Sequence, residues 1–153
     1  MTVHEQLSDT EPAIILPNCV LVAVDLSRTS LRAADYAAGL ARRNGVGVVG
    51  VYVRTCNALT LSTPGAAVYA KSTEGELAEE AGEYVAGTAV RLGTACAFTV
   101  RDGSPAAAIR RLARELKASA IVVGASEQRV HRLFGSLAAN LARKAPCPVI
   151  VVP

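Results

Sequence analysis

Tryptophan is absent from this 153-residue chain, and aromatic residues make up only 4% of it. Its core must therefore be assembled from Ala, Val, Leu and Ile. No apolar run approaches the roughly 20 residues of a membrane-spanning helix, so no membrane role is expected. Charge is sparse: 19% of residues are charged and the formal net charge is +3. The cations are dispersed. Arg42-Arg43, Arg110-Arg111 and Arg143-Lys144 fall near expected helix ends, where they complement the helix dipole. No basic stripe interleaved with aromatics appears, so nucleic acid is not an expected partner. The four cysteines, Cys19, Cys56, Cys96 and Cys147, form no C-x-x-C pair and have no zinc-spaced His or Cys neighbours. That pattern implies buried thiols in a reducing cytoplasm and no metal site. The opening stretch "MTVHEQLSDTEP" is acidic and polar rather than a signal peptide. Residues 1–16 are expected to be a flexible tail, with His4 in solvent.

What is present is a hydrophobic content of 51%, enough for one globular domain over residues 17–153. "CVLVAVD" (19–25), "VGVVGVYV" (46–53), "TACAFTV" (94–100), "SAIVVG" (119–124) and "PVIVV" (148–152) are short apolar runs rich in Val, as expected of strands buried on both faces. Helices are predicted between them. The first follows a Ser27 or Thr29 cap and stops at Asn44-Gly45. The second spans 74–93. The third spans 105–118, with Ser104 as cap and Pro105 at the favoured first position. The fourth spans 136–145. Residues 55–73 show weak periodicity and are expected to form a loop, with a short ordered piece at "AAVYA". Strands alternating with helices imply a parallel sheet covered on both faces.

In such sheets ligands lie beyond the carboxyl ends of the strands, where the strand order reverses. Asp25 ends the first strand and Gly124 the fourth, and Gly135-Ser136 opens the last helix. If the first and fourth strands are neighbours, a carboxylate, a glycine exit and a helix N-terminus share one crevice, an arrangement suited to a phosphate. Arg129, His131 and Arg132 supply nearby positive charge. Each element also has a plain structural reading. Asp25 can cap a turn, Ser136 can cap a helix, and the basic residues can face water.

The segments "VLVAVDLSRTSLRAADYAAGLA", "VRDGSPAAAIRRLARELKASAIVVGAS" and "FGSLAANLARKAPCPVIVVP" resemble the universal stress protein family. The resemblance implies a single open five-stranded parallel α/β sheet of order 3-2-1-4-5 with helices on both faces. Such a fold is Rossmann-like, of the adenine nucleotide alpha hydrolase type. It also implies homodimers, expected here through residues 148–152, and in one branch ATP binding. The residues matched to the nucleotide site are Asp25, Leu26, Val51, Gly103, Gly124, Ala125, Arg129, Gly135 and Ser136. The chain departs from that branch at three places. Glu127 stands where the middle glycine of the phosphate loop belongs. Ten residues separate Gly124 from Gly135, two fewer than in the branch. Leu26 replaces a small residue.

The leading expectation is a cytoplasmic stress-response module that holds an adenine nucleotide (ATP, ADP, AMP or cyclic AMP) weakly. One alternative is a stress protein that binds no nucleotide and acts through dimerisation and protein contacts. The other is a slow ATP hydrolase. No Walker lysine or Ser-His-Asp set is present, so a binding module is expected rather than an enzyme.

Overall fold

The structure is a computed structural model describing residues 16–55, 64–126 and 136–153, with the backbone alone for 64–71 and 136. In chain order the elements are β1 (Val20–Ala23), α1 (Arg28–Asn44), β2 (Val48–Arg54), α2 (Pro64–Leu92), β3 (Cys96–Asp102), α3 (Pro105–Glu115), β4 (Ala120–Gly124), α4 (Ser136–Lys144) and β5 (Val149–Val152). The five strands form one parallel sheet of order β3-β2-β1-β4-β5. The reversal of strand order falls between β1 and β4, as the crevice argument requires.

The apolar runs are central because their side chains are buried alternately on both faces. On one face Val20, Val22, Val48 and Val122 pack against the Ala33–Ala41 stripe of α1 and against Ala81, Val85 and Ala89 of α2. On the other, Leu21, Val49, Val51, Ile121 and Val123 pack against Ile109 and Leu112 of α3 and Leu141 of α4. Alanine-faced helices can approach this closely because the strands supply the bulk. Where Phe98 fills the space, glycine takes the facing positions: an added Cβ would come within 2.7 Å of its ring at Gly50 and 3.0 Å at Gly82. Leu16, expected to belong to the tail, packs beside Gly47 at the edge of the second cluster.

Several local expectations need correction. The loop predicted for 55–73 is helical from Pro64 onward, so α2 has 29 residues. Pro64 occupies a first-turn position where its missing N–H costs nothing, and the alanines that follow are strong helix formers. Propensity carried the signal there, because apolar periodicity reports burial rather than helicity. The Ser104 side chain makes no cap bond; α3 starts on Pro105 and the backbone bond from Ala108 N to Ser104 O at 2.9 Å. Arg110 and Arg111 lie in mid-helix rather than at an end: Arg110 donates to Asn140 of α4, and Arg111 approaches Glu115. Of the cysteines, Cys19 is fully buried while Cys96 and Cys147 are half-buried. Burial pushes the Cys19 thiol up to about 11. Cys56 lies outside the described residues.

Candidate functional site

Beyond the carboxyl ends of β1, β2 and β4 lies a crevice of about 410 Å³, within the usual range for small-molecule sites. Its walls include Asp25, Ser27, Thr29, Val53, Gly124 and Ala125, and Pro105 and Ile109 from α3 and Leu137 and Ala138 from α4 close the remaining side. The fold thus brings Asp25, Val51, Gly124 and Ala125 together in one crevice. Leu26 and Gly103 do not line the crevice. Leu26 packs against the α1–α2 side of the core with φ of 65°. Gly103, with φ of 113°, ends β3 through a bond from its N–H to Arg54 O at 3.0 Å. Arg129 and Gly135, like Glu127, His131 and Arg132, lie outside the described residues, as does the Ser136 side chain.

The turn "DLSRTS" builds the first wall. Asp25 Oδ1 accepts from the Ser27 amide at 3.0 Å and from the Ser27 hydroxyl at 2.6 Å. Ser27 in turn caps α1 by accepting from Ser30 N at 3.3 Å. The Ser30 hydroxyl accepts the Asp25 N–H at 3.2 Å, so β1 stops there instead of continuing its ladder. Partial burial pushes the Asp25 carboxyl up, but the Ser27 hydroxyl and amide, helped by Ser30, outweigh it and hold the carboxyl below its ordinary range. Asp25 is therefore ionised at neutral pH. It is both a turn cap and a carboxylate at the crevice mouth.

Thr29 does not cap the helix. Its hydroxyl donates to Ala125 O at 2.7 Å and ties the start of α1 to the chain leaving β4. Gly124 has a matching role. A Cβ there would lie 2.5 Å from the Thr29 carbonyl carbon and 2.6 Å from Ser30 N. In this chain, then, Gly124 is demanded by the close approach of α1, whatever else the glycine exit admits.

The residue that sequence reasoning missed is Val53. Along β2, odd-numbered residues bond toward β1 (Val20 N to Gly47 O, 2.9 Å; Val24 N to Val51 O, 3.0 Å) and even-numbered ones toward β3 (Gly103 N to Arg54 O, 3.0 Å). The Val51 carbonyl is therefore already occupied, and its side chain is an apolar wall. Val53 is the next residue with its polar edge toward β1, but β1 pairing ends at Ala23 opposite Val51. Among the described residues no partner bonds the Val53 N–H or C=O. The strand alternation, carried one repeat beyond the end of β1, was the signal that locates it.

Beside the crevice, on the α2 side, Tyr52 donates its hydroxyl to Glu74 at 2.8 Å. Burial and that carboxylate raise the phenol pKa. Arg54 forms a two-pronged pair with Asp102 at 2.7 and 3.0 Å. Among the described residues no cluster of His, Cys, Asp or Glu could hold a metal ion, and no helix is long and apolar enough to cross a membrane.

Together the sheet order and the crevice define a doubly wound α/β protein with a ligand site at its topological switch point. The sequence profile of the universal stress protein family matches residues 18–153, and the chain belongs to that family. Among solved structures, a universal stress protein family member from Burkholderia pseudomallei is 28% identical, with a TM-score of 0.71, over 93% of this chain and 99% of its own. The universal stress protein from Archaeoglobus fulgidus in complex with dAMP is 27% identical, with a TM-score of 0.65, over 90% of this chain and 99% of its own. A universal stress protein in complex with cAMP is 25% identical, with a TM-score of 0.71, over 90% of this chain and 98% of its own. The comparison with curated proteins gave no match.

Proposed function

We propose that this universal stress protein is a cytoplasmic binding module that holds an adenine nucleotide in the crevice between the ends of β1 and β4. The observation that carries this reading is the Val53 edge, unpaired among the described residues, facing the same crevice as ionised Asp25. An N–H and a C=O from one residue complement the donor–acceptor edge of adenine. Both Ser27 bonds land on Asp25 Oδ1, which leaves Oδ2 to accept a ribose hydroxyl. Leu137 and Ala138 place the first turn of α4 at the crevice, and unpaired N–H groups of a helix start suit a phosphate. The complexes of related proteins with dAMP and cAMP support the same ligand class.

Binding is proposed without rapid turnover, because phosphoryl transfer needs metal ligands and a group to position the nucleophile. Among the described residues Asp25 is the one carboxylate in the crevice wall, and Ser27 already engages it.

The test is thermal unfolding with AMP, cyclic AMP, ADP and ATP at millimolar concentration. A ligand at a hundred times its Kd adds about 2.7 kcal/mol of stability, which for a domain of this size raises Tm by about 5 °C or more. Asp25→Ala and Val53→Pro should abolish the shift. Proline at 53 removes an N–H that the β3 ladder does not use. If no nucleotide moves the wild-type transition, the reading fails, and a protein acting through contacts with other chains replaces it. We also propose a homodimer through the open edge of β5.

A further inference from the structure

α1 and α2 both return antiparallel to the strands they follow and so lie parallel to each other on one face of the sheet. Each ends four residues before its next strand, and those strands pair Val48 opposite Cys96. Residue i of α1 therefore lies roughly level with residue i+48 of α2. The bonds from Tyr84 and Thr88 to Asp35 cross between the helices near that level.

The outward faces of the two helices match in a specific way. Opposite the buried Ala34, Ala37 and Ala41, α1 presents Arg28, Arg32, Gly39 and Arg43. Opposite the buried Ala81, Val85 and Ala89, α2 presents Glu76, Glu80 and Gly87. Arg28 is level with Glu76, Arg32 with Glu80, and Gly39 with Gly87. Among the described residues Arg28, Glu76 and Glu80 make no ion pair. Space beside the glycines is open. Nothing stands within 4 Å of a Cβ at Gly87, and only the Arg43 guanidinium, at 3.6 Å, approaches one at Gly39. Tyr36 and Val90, 43% and 60% exposed, border the same surface.

We propose that a second copy of this chain docks face to face on the α1–α2 layer, about a twofold axis parallel to the helices. That axis sets α1 of each copy over α2 of the other without changing height. Arg28 and Arg32 then meet the partner's Glu76 and Glu80, twice over, and the paired glycines let the helices approach. The like charges at matching heights are already engaged. Asp35, level with Glu83, is held by Tyr84, Thr88 and Arg91 of its own chain. Arg43, level with Arg91, lies over the Tyr36 ring at 5.9 Å. Arg32 gives one bond to Pro153 O at 3.3 Å and keeps its other donors. Exposed ion pairs add little affinity singly, but complementary patterns select partner and register. The contact leaves the β5 edge free. A β5 dimer would have its axis normal to the sheet, and the two axes do not meet. Both contacts used together therefore build an open chain of copies.

The experiment compares two double variants by sedimentation at high micromolar concentration. Arg28→Glu with Arg32→Glu makes both stripes acidic, and Glu76→Arg with Glu80→Arg makes both basic. Each alone should show a mass at least twofold below that of the wild type, and a one-to-one mixture should regain it. Wild-type mass should also fall in about 0.5 M salt, where screening acts within a few ångströms. Circular dichroism establishes that each variant is folded. Equal masses for the wild type and both folded variants, or a mixture no heavier than its components, would overturn the proposal.

Discussion

Thr29 and Gly124 lock together across the switch point: the hydroxyl of one closes on the carbonyl of Ala125 at 2.7 Å, and the other leaves no room for a methyl group. Gly124→Ala must push backbone from backbone, since a Cβ would sit 2.5 Å from the Thr29 carbonyl carbon. Overpacking of this kind costs about 1–3 kcal/mol. Thr29→Val keeps the shape but strands the Ala125 carbonyl, at about 1 kcal/mol. Chemical denaturation should find both variants less stable, Gly124→Ala the more so. A Gly124→Ala protein as stable as wild type would contradict the close approach.

Leu26 offers a contest between burial and backbone strain. Its side chain is half-buried against the core, yet its φ of 65° lies in the left-handed region. If burial governs, Leu26→Val is milder than Leu26→Gly. A β-branched residue is poorly tolerated at positive φ, whereas glycine escapes a penalty of about 1–2 kcal/mol. The expected order is therefore the reverse, with the valine variant unfolding at lower denaturant than the glycine variant.

The acid limb of stability should carry a mark of Asp25. Folding lowers its pKa below the ordinary 3.8, so on acidification the unfolded chain takes up the proton first. The contribution of the charged carboxylate is complete well above that value. It is lost as pH falls through 3.8 toward the folded pKa. Asp25→Asn keeps an acceptor for the Ser27 amide but removes the charge. The stability gap between wild type and variant should be widest at neutral pH and close below about pH 4. A gap of constant size from pH 7 to pH 3 would speak against the Ser27 bonds as the cause.

Strand positions were legible in the sequence because strands buried on both faces leave uninterrupted valine runs, such as "CVLVAVD" and "SAIVVG". The first ten residues of α2 were not, since periodicity is silent where helix formation rests on propensity. At the site, Asp25 and Gly124 could be placed because the ends of apolar runs mark the carboxyl edge of the sheet. Their local duties could not. That Asp25 braces Ser27, that Thr29 reaches Ala125 and that Val53 rather than Val51 has an open edge all depend on where β1 leaves its ladder. At Asp25 the N–H turns to the Ser30 hydroxyl instead of to a neighbouring strand.

The same alternation that exposes Val53 decides how the β5 edge can be tested. β5 is the outermost strand, and its four residues are only half-buried. An apolar edge without charge invites pairing with another chain, which a twofold axis can close. The bonds from Ile121 N to Pro148 O at 2.9 Å and from Ala125 N to Val152 O at 2.7 Å show that even-numbered residues of β5 face β4. Ile150 thus spends its polar groups inside the chain, and Val149 and Val151 direct theirs outward. Proline removes one N–H and is tolerated at an edge only where that N–H faces away from the sheet. Val151→Pro should therefore yield a folded protein with half the wild-type mass by light scattering when dilute enough that β5 is the sole contact. Ile150→Pro should instead lower stability, by about 3 kcal/mol if the lost ladder bond and the ring clash match those of a helix interior. A wild-type protein that is monomeric under those conditions removes the β5 dimer. A Val151→Pro protein that keeps the wild-type dimer mass puts the interface on another surface.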